Sequence, residues 1–161
     1  MNKKLNKQEL PIIIFTDFDG CLTDDRVWLN QDGEEFVAAN RKDGLAINRL
    51  KALGITVVIT STETNKVVTA RAAKLGIEAL QGLSNKVEAI ESYLSKHNLT
   101  WSESWYIGND VNDLGAIEKA ALSFCPIDAS PEVFAKAQIV LSRRGGDGLL
   151  AEIASRLERS N

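Results

Sequence analysis

Ile12-Ile13-Ile14-Phe15-Thr16-Asp17-Phe18-Asp19-Gly20-Cys21-Leu22-Thr23 is the stretch whose reading decides the fold. Its first half, following Pro11, is a short continuous apolar run that suits a central strand buried on both faces. Its second half sets two carboxylates, at i and i+2, where that strand ends, and Gly20 then turns the chain. A bare Asp-x-Asp is more often two solvated loop carboxylates. The buried strand in front of this one, and further polar residues at later strand ends, favour a concave site. There one carboxylate can attack phosphorus while the other gives and recovers a proton.

Outward from that strand the chain punctuates itself. Residues 26–30 and 35–40 flank Gln31-Asp32-Gly33-Glu34, and Asp-Gly between alternating runs predicts a β-hairpin over about 26–40. Helices and strands then alternate. Asp43 is read as the cap of a helix through about Leu53, with Gly54 ending it before a β-branched strand over 55–60. Thr64 caps the next helix, closed by Leu75-Gly76, and a short strand over 77–80 follows. Ser84 opens a helix to about His97, Trp105-Tyr106-Ile107 forms a strand, and a helix spans 111–119. A strand over 122–125, a helix opened by Ser130-Pro131-Glu132, a strand over 139–141 and a helix over 148–158 complete the pattern. The expectation is a single α/β domain over 1–161, with 1–9 frayed. It should be a doubly wound, Rossmann-like parallel sheet with helices on both faces. Ligands of such sheets sit beyond the carboxyl ends of the strands, where the strand order reverses.

Composition narrows the partners. The 161 residues carry a net charge of −3 and 44% hydrophobic residues, the balance of a globular domain without a basic nucleic-acid footprint. No apolar run approaches a membrane span, and the basic start MNKKLNKQEL lacks the apolar core of a signal peptide. Cys21 and Cys125 cannot build a disulfide framework or a four-ligand zinc site, so a reducing cytoplasm is the expected setting. His97, the single histidine, reads as surface, and Cys21 as a small packing residue. Trp101 and Trp105 read as packing residues.

Asp17–Thr23 resembles the first motif of the haloacid dehalogenase superfamily, whose phosphatases form an aspartyl-phosphate. The resemblance extends from Pro11 to about Ala154 and takes in three further motifs. Val57-Val58-Ile59-Thr60-Ser61 ends in the hydroxyls of a second motif, with Ser61 preferred to Thr60 and Thr62 beside it on the phosphate. Lys86, in Gln81-Gly82-Leu83-Ser84-Asn85-Lys86, resembles the third-motif lysine. Tyr106-Ile107-Gly108-Asn109-Asp110-Val111-Asn112-Asp113 resembles the acidic fourth motif. The resemblance implies Asp17, Asp19, Ser61 and Lys86 as catalytic residues. It implies a Mg²⁺ cofactor on Asp17, the Asp19 carbonyl and either Asn109 or Asp110, with Asp113 in support. Asn109 stands where the family usually has aspartate, which removes one negative charge from the metal site.

Only a hairpin separates Thr23 from Asp43, too little chain for a cap domain. That is similar to the cap-less branch acting on 3-deoxy-octulosonate 8-phosphate and nonulosonate 9-phosphates. The branch implies a homotetramer assembled through hairpins, fitting the apolar Val27, Trp28, Leu29 and Phe36. Ser61-Thr62-Glu63, Arg71 and Lys74 match the nonulosonate pattern, which implies Glu63, Arg71 and Lys74 on a sialic-acid-type sugar. Arg143-Arg144-Gly145-Gly146-Asp147-Gly148 reads as a turn or as a cationic clamp for the sugar acid. The alternatives are the octulosonate phosphate, or a non-catalytic oligomerisation module of a sugar-nucleotide synthetase.

Overall fold

The structure is a computed structural model and describes residues 10–159, so the expected fraying of 1–9 lies outside the described residues. The first apolar run becomes β1 (Ile13–Thr16), every residue of it buried. It pairs in parallel with β4 (Thr56–Thr60) on one side and β6 (Ser104–Ile107) on the other. With β5 (Glu78–Leu80), β7 (Leu122–Cys125) and β8 (Ile139–Val140) this makes a six-stranded sheet ordered β5-β4-β1-β6-β7-β8. The chain fills one flank through β5 and then crosses β1 to fill the other, so the strand order reverses at β1. The crevice expected of a doubly wound sheet therefore opens beside Asp17.

Side-chain alternation along β1 sorts the helices. Ile14 packs with α1 (Arg41–Ala52), α2 (Lys66–Leu75) and α6 (Leu149–Arg159). Ile13 and Phe15 pack with α3 (Lys86–Lys96), α4 (Leu114–Lys119) and α5 (Pro131–Lys136). Both faces are covered, which is why the strand carries no polar alternation.

Three helix starts differ from the sequence reading in the same way. Asn40, Asn65 and Asn85 cap α1, α2 and α3, each side-chain oxygen accepting the backbone N–H two residues on. Asp43, Thr64 and Ser84 are good caps by type, but a neighbouring asparagine holds each position. The helix expected over 111–119 divides into a 3₁₀ turn, Val111–Asp113, and α4. The hairpin is real but short: β2 (Trp28–Leu29) and β3 (Glu35–Phe36) pair Trp28 with Phe36, and Gly33 takes the left-handed turn position. No helix of the described residues is long and apolar enough to cross a membrane.

Candidate active site

Asp17 leaves β1 level with the ends of β4 and β6, because Thr16 registers with both Ile59 and Ile107. Its backbone N–H donates to Ile107 O at 2.9 Å, and its Oδ1 accepts the Phe18 N–H at 2.8 Å. Lys86, the first residue of α3, places Nζ 2.8 Å from Asp17 Oδ1 and 2.7 Å from Asp113 Oδ1. Asp113 is fully buried and also accepts the Tyr106 hydroxyl at 2.6 Å and the Asn109 and Asp110 N–H groups at 2.8 and 3.2 Å. One buried ammonium is thus shared by two carboxylates, and the outer one keeps an edge toward the cleft. Burial pulls the Lys86 ammonium toward neutrality, but Asp17 and Asp113 outweigh it and hold it charged. Burial and then the Asp113 charge push Asp17 up to about 7, with Lys86 acting in the opposite sense.

Above this floor lies a cleft of about 210 Å³ lined by Asp17, Asp19, Ser61, Thr62, Glu63 and Asn109, with Asp25 and the loop 110–112 at its rim. Its lining carries five carboxylates and no lysine or arginine. Burial, then Glu63 and Asp25, hold the Asp19 carboxyl above its ordinary range. The two hydroxyl candidates separate cleanly. Thr60 Oγ1 lies 3.3 Å from both Thr16 O and the Tyr106 hydroxyl, inside the sheet. Ser61 lines the cleft, its Oγ accepting the Glu63 N–H at 3.1 Å.

The geometry also tests whether a divalent cation fits. The Asn109 amide lies 2.9 Å from Asp19 O and 3.1 Å from Asp17 Oδ2. With its oxygen inward, the amide oxygen would stand about 3 Å from each of those two oxygens, the spacing of neighbouring ligands around a cation with 2.0–2.1 Å bonds. That orientation sets oxygen against oxygen and so requires a positive charge among them, and an Asp17 raised to about 7 asks for the same charge. The donor set of carboxylate, carbonyl and amide suits magnesium. Asp110 instead accepts the Val111 N–H at 2.7 Å, capping its own turn, and stays exposed at the rim. No group of three His, Cys, Asp or Glu among the described residues offers another metal site.

Arg71 and Lys74 lie outside the cleft lining. Arg71 donates to Asn40 O at 2.8 Å, tying α2 to the exit of the hairpin, and Lys74 is exposed on α2. The sugar contact expected of them therefore has no support within this cleft. The loop after β8 turns Arg143 back on Asp147 O and Gly148 O at 3.0 and 3.2 Å and leaves Arg144 exposed. Its glycines serve the first motif. A Cβ on Gly145 would meet Gly20 O at 2.2 Å, so the bare backbone lies flat against the turn after Asp19. Glu152 accepts the Ser142 and Arg143 N–H groups and anchors that loop. Sequence reading passed over Tyr106 and Asp25. The inward period-2 position of Tyr106 in β6 was the available signal. Cys21 is buried and His97 stacks on Tyr93 at the surface.

Residues 63–153 match the family model for haloacid dehalogenase-like hydrolases. The 3-deoxy-D-manno-octulosonate 8-phosphate phosphatase KdsC of Salmonella typhi is 34% identical over 154 residues, a match covering 95% of this chain and 82% of that protein. The chain belongs to the haloacid dehalogenase-like hydrolases. It is a phosphatase of that family. N-acylneuraminate cytidylyltransferase A of Danio rerio is 30% identical over 156 residues, covering 94% of this chain but only 36% of that larger protein. Among solved structures, the octulosonate 8-phosphate phosphatase of Moraxella catarrhalis, in complex with magnesium, phosphate and the sugar acid, superposes with a TM-score of 0.90. It is 28% identical, the match covering 96% of this chain and 90% of that one. The hydrolase fold here has the same parallel sheet, with a hairpin and no cap among the described residues.

Proposed function

We propose that this phosphatase hydrolyses the phosphate monoester of a sugar acid, with Asp17 as nucleophile and Mg²⁺ as cofactor. The supporting observation is the Asp17–Lys86–Asp113 line: a carboxylate at a cleft floor, held by a buried ammonium whose second partner is locked by four donors. A module kept only for oligomerisation has no use for a buried ionic line opening on a cleft.

Asp17 Oδ2, the Asp19 carbonyl and the Asn109 amide oxygen would hold Mg²⁺, whose charge when bound offsets that of the phosphate and of Asp17. In the first half-reaction an Asp17 carboxylate oxygen bonds to phosphorus as the phosphorus–sugar oxygen bond breaks. The departing oxygen takes its proton from Asp19, whose raised pKa keeps that proton available. In the second half, water attacks the same phosphorus and passes a proton to Asp19, and the Asp17–phosphorus bond breaks to release phosphate. Ser61 and Thr62, the hydroxyl groups of the wall, receive a phosphoryl oxygen. Lys86 orients Asp17 and pulls it toward its ionised form.

Within the sugar acids we assign the nonulosonate 9-phosphate. Glu63 supports this: it is the side chain of the expected specificity set that lines the cleft, and it can accept hydrogen bonds from hydroxyl or amide donors. The octulosonate 8-phosphate is the second reading, supported by the 34% identity to a phosphatase of that ester. The exposed hairpin residues Trp28, Leu29 and Phe36 support a homotetramer, and two unpaired buried thiols fit a cytoplasmic setting.

One set of kinetics tests these assignments. Both sugar phosphates and an aryl phosphate are compared by kcat/KM in the natural chain, Asp17→Asn and Glu63→Arg. Asp17→Asn is expected to abolish all three, and Mg²⁺-dependent turnover surviving it would sink the mechanism. Glu63→Arg is expected to lower the nonulosonate value roughly ten- to hundred-fold and spare the aryl phosphate. Preference of the natural chain for the eight-carbon ester would move the assignment to the second reading.

A further inference from the structure

The amide of Asn109 is satisfied with its nitrogen toward the cation site and, with its oxygen there, only if a cation lies between the oxygens. Turned with its nitrogen inward, it donates to Asp19 O at 2.9 Å and to Asp17 Oδ2 at 3.1 Å. Turned with its oxygen inward, it completes the three-oxygen face described above. A half-turn about the last side-chain bond converts one state to the other, and that torsion is broad and roughly two-fold. The backbone on either side of the amide is held in place. The Asn109 backbone N–H is fixed on Asp113 Oδ2 at 2.8 Å, and its carbonyl accepts the Ser130 N–H at 2.8 Å. On the far side Gly20, at φ +74°, leaves room: a Cβ there would fall 1.9 Å from the amide nitrogen.

We propose that Asn109 is a built-in stand-in for the divalent cation: in the metal-free protein its amide nitrogen bridges Asp17 and the Asp19 carbonyl, and it turns over to present oxygen when the cation arrives. An aspartate at 109 does the opposite. Without a cation it adds a second negative charge 3.1 Å from Asp17 Oδ2 and has no proton donor to offer. The site then depends on metal for its shape. With asparagine the shape is held by two hydrogen bonds until the cation displaces them. This chain thereby exchanges tight metal binding for a preformed site, and its stability is largely independent of metal. The inference rests on the phosphatase reading only for the identity of the cation.

The test is thermal melting of the natural chain and Asn109→Asp, each in EDTA and in saturating MgCl₂. The Asp variant is expected to melt on the order of 3–12 °C below the natural chain in EDTA, the loss of hydrogen bonds to a charged group. It should recover most of that in MgCl₂, while the natural chain shifts by less than half as much. A natural chain as dependent on MgCl₂ as the variant, or a variant as stable as the natural chain in EDTA, overturns the proposal.

Should the variant fail to fold, nitrogen-15 NMR of the natural chain decides. The Asn109 side-chain amide protons are expected to exchange slowly in EDTA and to shift and exchange faster in MgCl₂. An amide signal unchanged by saturating MgCl₂ overturns the proposal. Aryl phosphate hydrolysis followed in parallel separates the failures. Its absence in MgCl₂ removes the phosphatase reading and leaves the melting result standing, and failed melts with hydrolysis intact remove only the stand-in.

Discussion

The floor of the cleft and the hairpin are finished to opposite degrees. At the floor, Lys86 meets two carboxylates, Asp113 meets four donors, and Tyr106 is wholly enclosed. At the hairpin, Trp28 and Phe36 face each other across two-residue strands while 73% and 56% exposed. An isolated two-stranded hairpin is marginal in water, and an apolar cluster of that kind is the mark of an interface. The chemistry is assembled inside one chain, whereas the apolar residues of the hairpin are left in water by it. Buried ions tolerate no unmatched partner, so the floor has to be complete before anything docks.

The largest effect should come from breaking the floor. Lys86→Met removes one ammonium and leaves Asp17 and Asp113 buried without it. The expected loss is about 3–5 kcal/mol in denaturant unfolding, the usual result of removing one member of a buried ionic group. Aryl phosphate hydrolysis should disappear with it. A stability within 1 kcal/mol of the natural chain, read as the denaturant midpoint at constant slope, would mean that the floor does not depend on its cation.

A smaller effect of opposite sign sits where hairpin and sheet join. Asp43, in the first turn of α1, is 1% exposed, and neither carboxylate oxygen has a hydrogen-bonding partner of good geometry. Burial pushes it up to about 7, against the pull of Arg71, the Leu150 backbone N–H and Arg143. An unfolded aspartate has a pKa of about 3.9. Between those values the folded chain binds a proton that the unfolded chain does not, so this group's contribution to stability falls as pH rises from about 4 to about 7 and stays low above. Asp43→Asn abolishes that slope. It should stabilise the protein by on the order of 1–4 kcal/mol above pH 7 and by little below pH 4, as read from melts across that range. A gain equal at both ends would show that the carboxyl does not titrate in the folded protein.

How much of this was legible in the sequence follows the range of each interaction. The buried strand, the two aspartates and the order of the four motifs are local patterns, and the sheet confirms where they lie. Choosing between Thr60 and Ser61 needed only the last residue of β4, and sequence reading preferred the hydroxyl that lines the cleft. Helix starts slipped because Asn40, Asn65 and Asn85 stand one to three residues from equally suitable caps, and only the backbone angles choose among them. Arg71 was less legible for a deeper reason. Its position on α2 was read correctly, but its partner is a backbone carbonyl 31 residues earlier, which no side-chain pattern announces. Gly145 and Gly146 looked like a turn. What they provide is a close approach to Gly20 and Asp24, visible only once the first and last loops meet.

The smallest effect on folding should come from the hairpin, and it is the one that separates the two regions most sharply. Trp28→Ser combined with Phe36→Ser replaces two side chains that the single chain leaves largely in water. Because they are exposed before and after unfolding of the single chain, its unfolding free energy should change by no more than about 0.5 kcal/mol, measured at dilutions where the chain is monomeric. Association should respond quite differently, since paired aromatics at the centre of an interface commonly carry much of its energy. By light scattering the natural chain is expected at a multiple of 17.6 kDa and the double variant at 17.6 kDa itself. If the variant keeps hydrolysing an aryl phosphate in MgCl₂ while losing the sugar phosphate, the floor is complete alone and the cover selects the substrate. If the natural chain already runs as a fully active 17.6 kDa monomer, the hairpin covers nothing and the contrast with the floor has another cause.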